Sequence, residues 1–196
     1  MLIGICGKSG SGKSTLANDL IQIYKNALHC DIDKVGHKAL LDEKVKENLI
    51  NSFGYKIITD NVVDRKKLGN IVFSSKKEME KLTNITWNYM QKEIDFIIES
   101  NKDKLIILDW ILLPKSKYLK QCKLKILLDI PYEIRKERAL IRDNISEESF
   151  KLRDDSSLIF NNDDFDLIIK DNKEINLERI VNLLWKKFYI QEVLTQ

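Results

Sequence analysis

The sequence predicts an α/β fold, a five-stranded parallel sheet flanked by helices, on three observations. Five short apolar runs, LIGIC (2–6), NALHCD (26–31), KLIILD (104–109), LKILLD (124–129) and FDLII (165–169), alternate with longer stretches of helical periodicity. The first run leads directly into a glycine-rich loop and then a helix-forming segment. Three runs end in or beside an aspartate, Asp31, Asp109 and Asp129, which places three carboxylates at the strand ends where open parallel sheets hold ligands.

The helices follow in order. Leu16, Leu20, Ile23 and Tyr24 recur at helical spacing, so the first helix starts within GKST and runs to about Tyr24. Residues 34–52 read as one helix ending near Phe53-Gly54. TDNVVDRKKLGNIVF breaks and restarts a helical pattern, with Asp64 placed to cap RKKLGNIVF. Residues 76–99 form a long amphipathic helix, and Pro131 opens YEIRKERALIRD, where proline suits the first turn. RDNISEESFKLRDD reads as a short helix after a break. The last helix packs Ile180, Leu184 and Phe188 on the body, and its tryptophan reads as core, not as a platform for stacking bases.

With 196 residues the chain fits one domain. Lys plus Arg number 33 against 30 Asp plus Glu, and this +3 balance of interspersed charges gives no reason to expect a nucleic-acid partner. No uncharged run of membrane-spanning length occurs, so a soluble cytoplasmic protein is expected, with no membrane partner. Cys6, Cys30 and Cys122 form no metal-ligand spacing and read as inert buried thiols. No segment demands a partner, and a monomer is expected.

GKSGSGKS, residues 7–14, matches G-x-x-x-x-G-K-[ST], a pattern that arises by chance about one time in a hundred in a chain of this length. Its place between a strand and a helix makes chance rarer still. The glycines allow a tight turn that brings backbone N–H groups to phosphate oxygens. The nucleotide-binding candidates are Gly10, Ser11, Gly12, Lys13, Ser14 and Thr15, with Lys13 reaching the β and γ phosphates of ATP and the Ser14 hydroxyl holding Mg²⁺. NKDK at 101–104 precedes a strand, the wrong place for a guanine-reading segment.

A small-molecule kinase also needs a carboxylate near its acceptor and arginines that gather charge on the moving phosphoryl group. Asp31 and Asp33 share one side of the chain if it stays extended. Arg135, Arg138 and Arg142 recur at spacings of three and four along one helical stripe. Arg135 taken alone reads as water-facing, whereas Arg138 and Arg142 lead into a lid, about 138–157, that also carries Arg153. Asp109 either meets the metal through water, helps the substrate, or fixes the phosphate loop by hydrogen bonds.

Taken together, these segments resemble the dephospho-CoA kinase family. The family's G-G-I-G-S-G-K-[ST] is met by GKSGSGKS, its D-A-D by Asp31-Ile32-Asp33, and its D-G-x-[LV]-D-R-x-x-L-x-x-x-[VI]-F by DNVVDRKKLGNIVF, residues 60–73. The lid R-x-x-x-R-D corresponds to Arg138 through Arg142-Asp143, and the late A-D-x-x-I strand to Asp166 through Ile169. The resemblance implies a P-loop kinase fold with a helical substrate-binding region near 60–100. It implies ATP-dependent phosphorylation of the ribose 3'-hydroxyl of dephospho-CoA, with Asp33 as the base and Arg65 holding the substrate. The chain departs from the pattern at Trp87-Asn88, where the family has His-Pro, and at DWILLPK, where it has D-x-P-L-L-[FL]-E. Two other readings fit the residues alone: a nucleoside, nucleotide or other small-metabolite kinase, and a non-enzymatic ATP-binding regulatory protein.

Overall fold

Leu2–Gly7 forms a strand, β1, buried at every residue, as a run without a polar side chain requires when both faces of a sheet are covered. The computed structural model describes residues 1–171, 173 and 175–194, with side-chain surroundings through Lys187. After β1 come α1 (Lys13–Ile23), β2 (Ala27–Asp31), α2 (Ile32–Ala39), α3 (Glu43–Phe53), β3 (Ile58–Thr59), β4 (Val62–Val63), α4 (Arg65–Val72) and α5 (Lys76–Glu99). The chain continues through β5 (Leu105–Asp109), β6 (Leu124–Leu128), α6 (Tyr132–Asp143), α7 (Glu147–Asp155), β7 (Leu167–Ile169) and α8 (Leu177–Leu194). It divides into two compact units. The first comprises Met1–Asp31, Asn101–Ile145 and the chain from Leu158 onward; the second comprises Ile32–Ser100 and Ser146–Ser157.

The first unit holds the expected parallel sheet, in the order β2-β5-β1-β6-β7. Ile3, Ile5, Leu124 and Ile126 pack in one cluster with Leu16 and Leu20 of α1 and Ile180 and Leu184 of α8. Leu16 and Leu20 are fully buried, each contributing about 1.5–3 kcal/mol by leaving water. Phe188, expected beside Ile180 and Leu184, lies outside the described side chains. Trp185 corrects the sequence reading: it is 51% exposed, because one residue beyond Leu184 turns it about 100° away from the packed stripe. Cys6, Cys30 and Cys122 are free and buried, and burial pushes the Cys122 thiol up to about 12 and the Cys6 thiol upward as well.

The second unit is helical. Its core joins Leu40, Val45, Leu49, Phe53, Ile57, Val63, Leu68 and Val72, and α5 packs on α2, α3 and α4. The single helix expected over 34–52 is two. The break comes at Leu40-Leu41-Asp42, where the Asp42 carboxylate accepts from the Val45 N–H at 2.9 Å and starts a new helix at its N-cap. Asp60 and Asn61 have φ of 47° and 62°, the paired left-handed conformation of a two-residue hairpin turn. That turn joins β3 to β4, a two-residue ladder too short to leave a periodic signal. Asp64 caps α4 as expected, accepting from the Lys66 and Lys67 N–H groups at 2.9 and 3.0 Å. Among the described residues no helix is long and apolar enough to cross a membrane.

Candidate active site

The glycine-rich loop leaves β1 at Gly7 and delivers the chain to α1 at Lys13. Ser11 N–H closes a turn on the Lys8 carbonyl at 3.2 Å. Gly10 and Gly12 take φ of 81° and 93°, a region side chains with a Cβ avoid. The first N–H groups of α1 lack carbonyl partners within the helix, and the positive end of its dipole lies there. Lys13 is buried to 9% exposure, Ser11 is fully buried, and Ser14 and Thr15 are exposed.

At the carboxyl edge of the sheet, register pairs Asp31 of β2 directly with Asp109 of β5. Asp109, 2% exposed, accepts from the Ser14 hydroxyl at 2.7 Å. Its Oδ2 also lies 3.3 Å from His29 Nε2, and His29 Nδ1 lies 3.2 Å from the Asn18 amide oxygen. Burial pushes the Asp109 carboxyl up. The hydrogen bond from His29, the Lys13 charge and the hydrogen bond from Ser14 outweigh it and hold the group below its ordinary value. Of the roles open to Asp109, the hydrogen bond that fixes the start of α1 is therefore present. Asp129 follows the last residue of β6, exposed, with its N–H donating to the Ile169 carbonyl at 2.9 Å.

Arg135 is not the water-facing residue the sequence suggests. It is 6% exposed, donating from Nε to the Ile130 carbonyl at 2.8 Å and from Nη1 to the Ser9 carbonyl at 3.4 Å. The guanidinium thus ties the phosphate loop to α6. The backbone of Arg135 lies against Gly10, so a Cβ there would strike the Arg135 carbonyl oxygen and come within 2.9 Å of two further backbone atoms. Gly10→Ala is expected to lose about 1–3 kcal/mol of stability, from the clash and the left-handed backbone together, and to weaken ATP binding. Thermal melting and nucleotide titration check both. Further along α6, Arg138 and Arg142 are exposed, and Arg142 pairs with Asp143 at 2.8 Å and reaches the Ser9 hydroxyl at 3.4 Å.

In the second unit Asp33 is exposed in the first turn of α2. The extended path expected for Asp31 and Asp33 does not occur, because helix begins at Ile32 and the two-residue alternation of a strand ends with it. Helical spacing instead puts Asp33 on one face with His37. His37 Nε2 accepts from Arg65 Nη2 at 2.8 Å, which brings Arg65, at the head of α4, beside the face that carries Asp33. Arg153 of α7 stacks its guanidinium over Phe73, 5.4 Å from the ring centroid.

His29, His37 and the anchoring role of Arg135 escaped sequence reading. His29 stands two residues before Asp31, on the same side of the strand, which is the one available signal. For His37 the signal is its spacing of four from Asp33. Nothing in the letters separates Arg135 from its exposed neighbours, since its partners are backbone carbonyls, one five residues back at Ile130 and one far off in sequence at Ser9.

A phosphate loop closing on an aspartate at the end of a neighbouring strand, in a parallel sheet of this order, defines a P-loop phosphotransferase. The profile described as dephospho-CoA kinase matches residues 1–163, and the chain belongs to that family. It is 36% identical over 149 residues to a dephospho-CoA kinase of Fusobacterium nucleatum, covering 76% of each chain. To the dephospho-CoA kinase of Aquifex aeolicus it is 36% identical over 154 residues, 77% of each. A Thermus thermophilus protein of solved structure superposes with a TM-score of 0.69 at 22% identity, over 100% of this chain and 96% of that one, a likeness in fold.

Proposed function

We propose that the named residues divide among themselves the ATP-dependent phosphorylation of the dephospho-CoA ribose 3'-hydroxyl, which yields coenzyme A and ADP. The observation that carries this reading is the Ser14–Asp109 hydrogen bond of 2.7 Å at the head of α1, directly after the left-handed turns at Gly10 and Gly12. The loop from Gly10 through Thr15 wraps the ATP phosphates with backbone N–H groups, and Lys13 adds a charge for the β and γ oxygens. Ser14, with Asp109 behind it, suits Mg²⁺, because both offer the hard oxygen atoms that ion selects. Mg²⁺ bound there supplies neutralising charge for the phosphate oxygens.

Arg138 and Arg142 gather the charge that spreads over the equatorial oxygens of the transferring group. Asp33 orients the 3'-hydroxyl and takes its proton, while Arg65, held by His37, binds dephospho-CoA through its anionic groups. Asp31 and Asp109 complete the polar rim that faces the substrate. With its three free thiols buried, the same reading puts the enzyme in the cytoplasm, where it works as a monomer.

The test is ADP release from Mg-ATP with dephospho-CoA, adenosine, AMP and cytidine nucleotides as separate acceptors, with the product mass determined. Turnover is expected with dephospho-CoA alone, giving the mass of coenzyme A. Transfer to one of the others in its place would move the chain to a different small-molecule kinase. ATP binding with no transfer to any acceptor would make it a regulatory protein.

A further inference from the structure

The hydrogen bonds around Asp109 form a circuit through three elements. Ser14 and Asn18 stand four residues apart on α1, one turn along the same face. From Ser14 Oγ the circuit crosses to Asp109 Oδ2 on β5 at 2.7 Å, passes to His29 Nε2 on β2 at 3.3 Å, and returns from His29 Nδ1 to the Asn18 amide at 3.2 Å. Asp109 is 2% exposed and His29 14%, so the contact between these two is largely shielded from competition by water, while the Asn18 end of the circuit is exposed.

An ionised carboxylate only accepts, so Nε2 is the ring nitrogen that carries the hydrogen toward Asp109. Nδ1 meets the Asn18 amide, whose two ends can exchange places to suit it. Both contacts on Asp109 fall on one oxygen, Oδ2. A carboxylate held by a single donor still turns about its last torsion, which is broad. Two donors from different elements, Ser14 on a helix and His29 on a strand, select one orientation and so fix how Oδ1 is presented.

We propose that His29 is a positioning residue: with Asn18 behind it, the imidazole sets the direction of the Asp109 carboxylate that serves a divalent cation and the γ-phosphate at Ser14. This rests on the reading of Ser14 and Asp109 given above. Partners one step removed from a metal or phosphate site typically change affinity or activity by about 10–100-fold when removed. The alternative, a half-buried histidine whose only role is to fill space and satisfy its own nitrogens, makes a different forecast for variants that keep one nitrogen at a time.

Three substitutions separate the two. Leucine at 29 keeps bulk and removes both nitrogens, glutamine keeps an amide N–H near the ε position that faces Asp109, and asparagine keeps polar atoms near the δ position that faces Asn18. Binding of a non-hydrolysable ATP analogue is measured by calorimetry with Mg²⁺ and with chelator, beside kcat, the KM for dephospho-CoA and a thermal melt. S14A serves as the reference for losing the cation effect.

H29L and H29N are expected to reduce both the Mg²⁺-dependent gain in affinity and kcat by about 10-fold or more, with the KM for dephospho-CoA unchanged. H29Q is expected to recover most of both. If S14A loses the Mg²⁺ gain while H29L keeps it, or if H29Q is as impaired as H29L, the role of His29 is overturned and the Ser14 assignment stands. If S14A itself keeps the gain, the cation reading of Ser14 and Asp109 falls, and the His29 proposal with it. Should H29L fail to fold, the contrast between H29Q and H29N decides.

Discussion

Replacing Lys13 with methionine is expected to lower the rate of phosphoryl transfer by at least about 1,000-fold while the protein stays folded. Methionine preserves the length and most of the volume of a side chain that is only 9% exposed, so packing changes little. What disappears is a buried positive charge, which on the role proposed for Lys13 would act more strongly on the γ-phosphoryl oxygens than it would in solution. Circular dichroism and a single-turnover assay with Mg-ATP and dephospho-CoA check the two halves of this statement. Near-normal turnover would remove Lys13 from the catalytic set.

The same substitution carries a pH signature. Lys13 is one of the influences that hold the Asp109 carboxyl below its ordinary value against the opposing effect of burial. A carboxyl depressed in the folded state contributes stability at pH above its unfolded value, about 3.9, and that contribution is lost as pH falls through the folded value. Without Lys13 the folded value moves up and the window narrows, so K13M is expected to lose less stability on acidification and to start from a lower plateau at neutral pH. Denaturant titrations at neutral pH and near pH 3 measure both points.

The five strands are legible because a parallel sheet buried on both faces leaves continuous apolar runs, and LIGIC or LKILL has no competing helical pattern. The phosphate loop is legible for a different reason: its chemistry constrains letters at fixed spacing, and the residues lie together in sequence before they lie together in space. What was not legible depends on partners that leave no mark in the local letters. A buried Arg135 and an exposed Arg138 have the same local sequence signature, and the folded backbone is what brings the Ile130 and Ser9 carbonyls to Arg135. The break at Leu40-Leu41-Asp42 is hidden likewise, because aspartate is tolerated inside a helix and acts as a cap only where the chain already turns. His29 and His37 lie outside the motifs altogether. Each supports a neighbour that a motif names, Asp109 in one case and Arg65 in the other.

Replacing Asp33 with asparagine is expected to lower kcat by about 100- to 10,000-fold, the range for loss of a positioned general base, with ATP affinity little changed. The expectation follows from where the side chain stands. Asp33 is exposed in the first turn of α2, on one helical face with His37, whose ring accepts from Arg65 at 2.8 Å. Asp33 thus shares a helical face with one partner of the His37–Arg65 pair, and it belongs to the helical unit. Asparagine keeps the size and an oxygen acceptor, and it is tolerated near a helix start, so folding is not at issue. It removes the ability to take a proton. A general base acts on the reacting hydroxyl in the transition state, so the loss falls on turnover and leaves the binding of either substrate nearly intact. Calorimetry with an ATP analogue and a full kcat and KM determination for dephospho-CoA separate the terms. A D33N enzyme with unchanged kcat would strip Asp33 of the base role, and one with normal kcat but a raised KM for dephospho-CoA would leave it a binding residue beside Arg65.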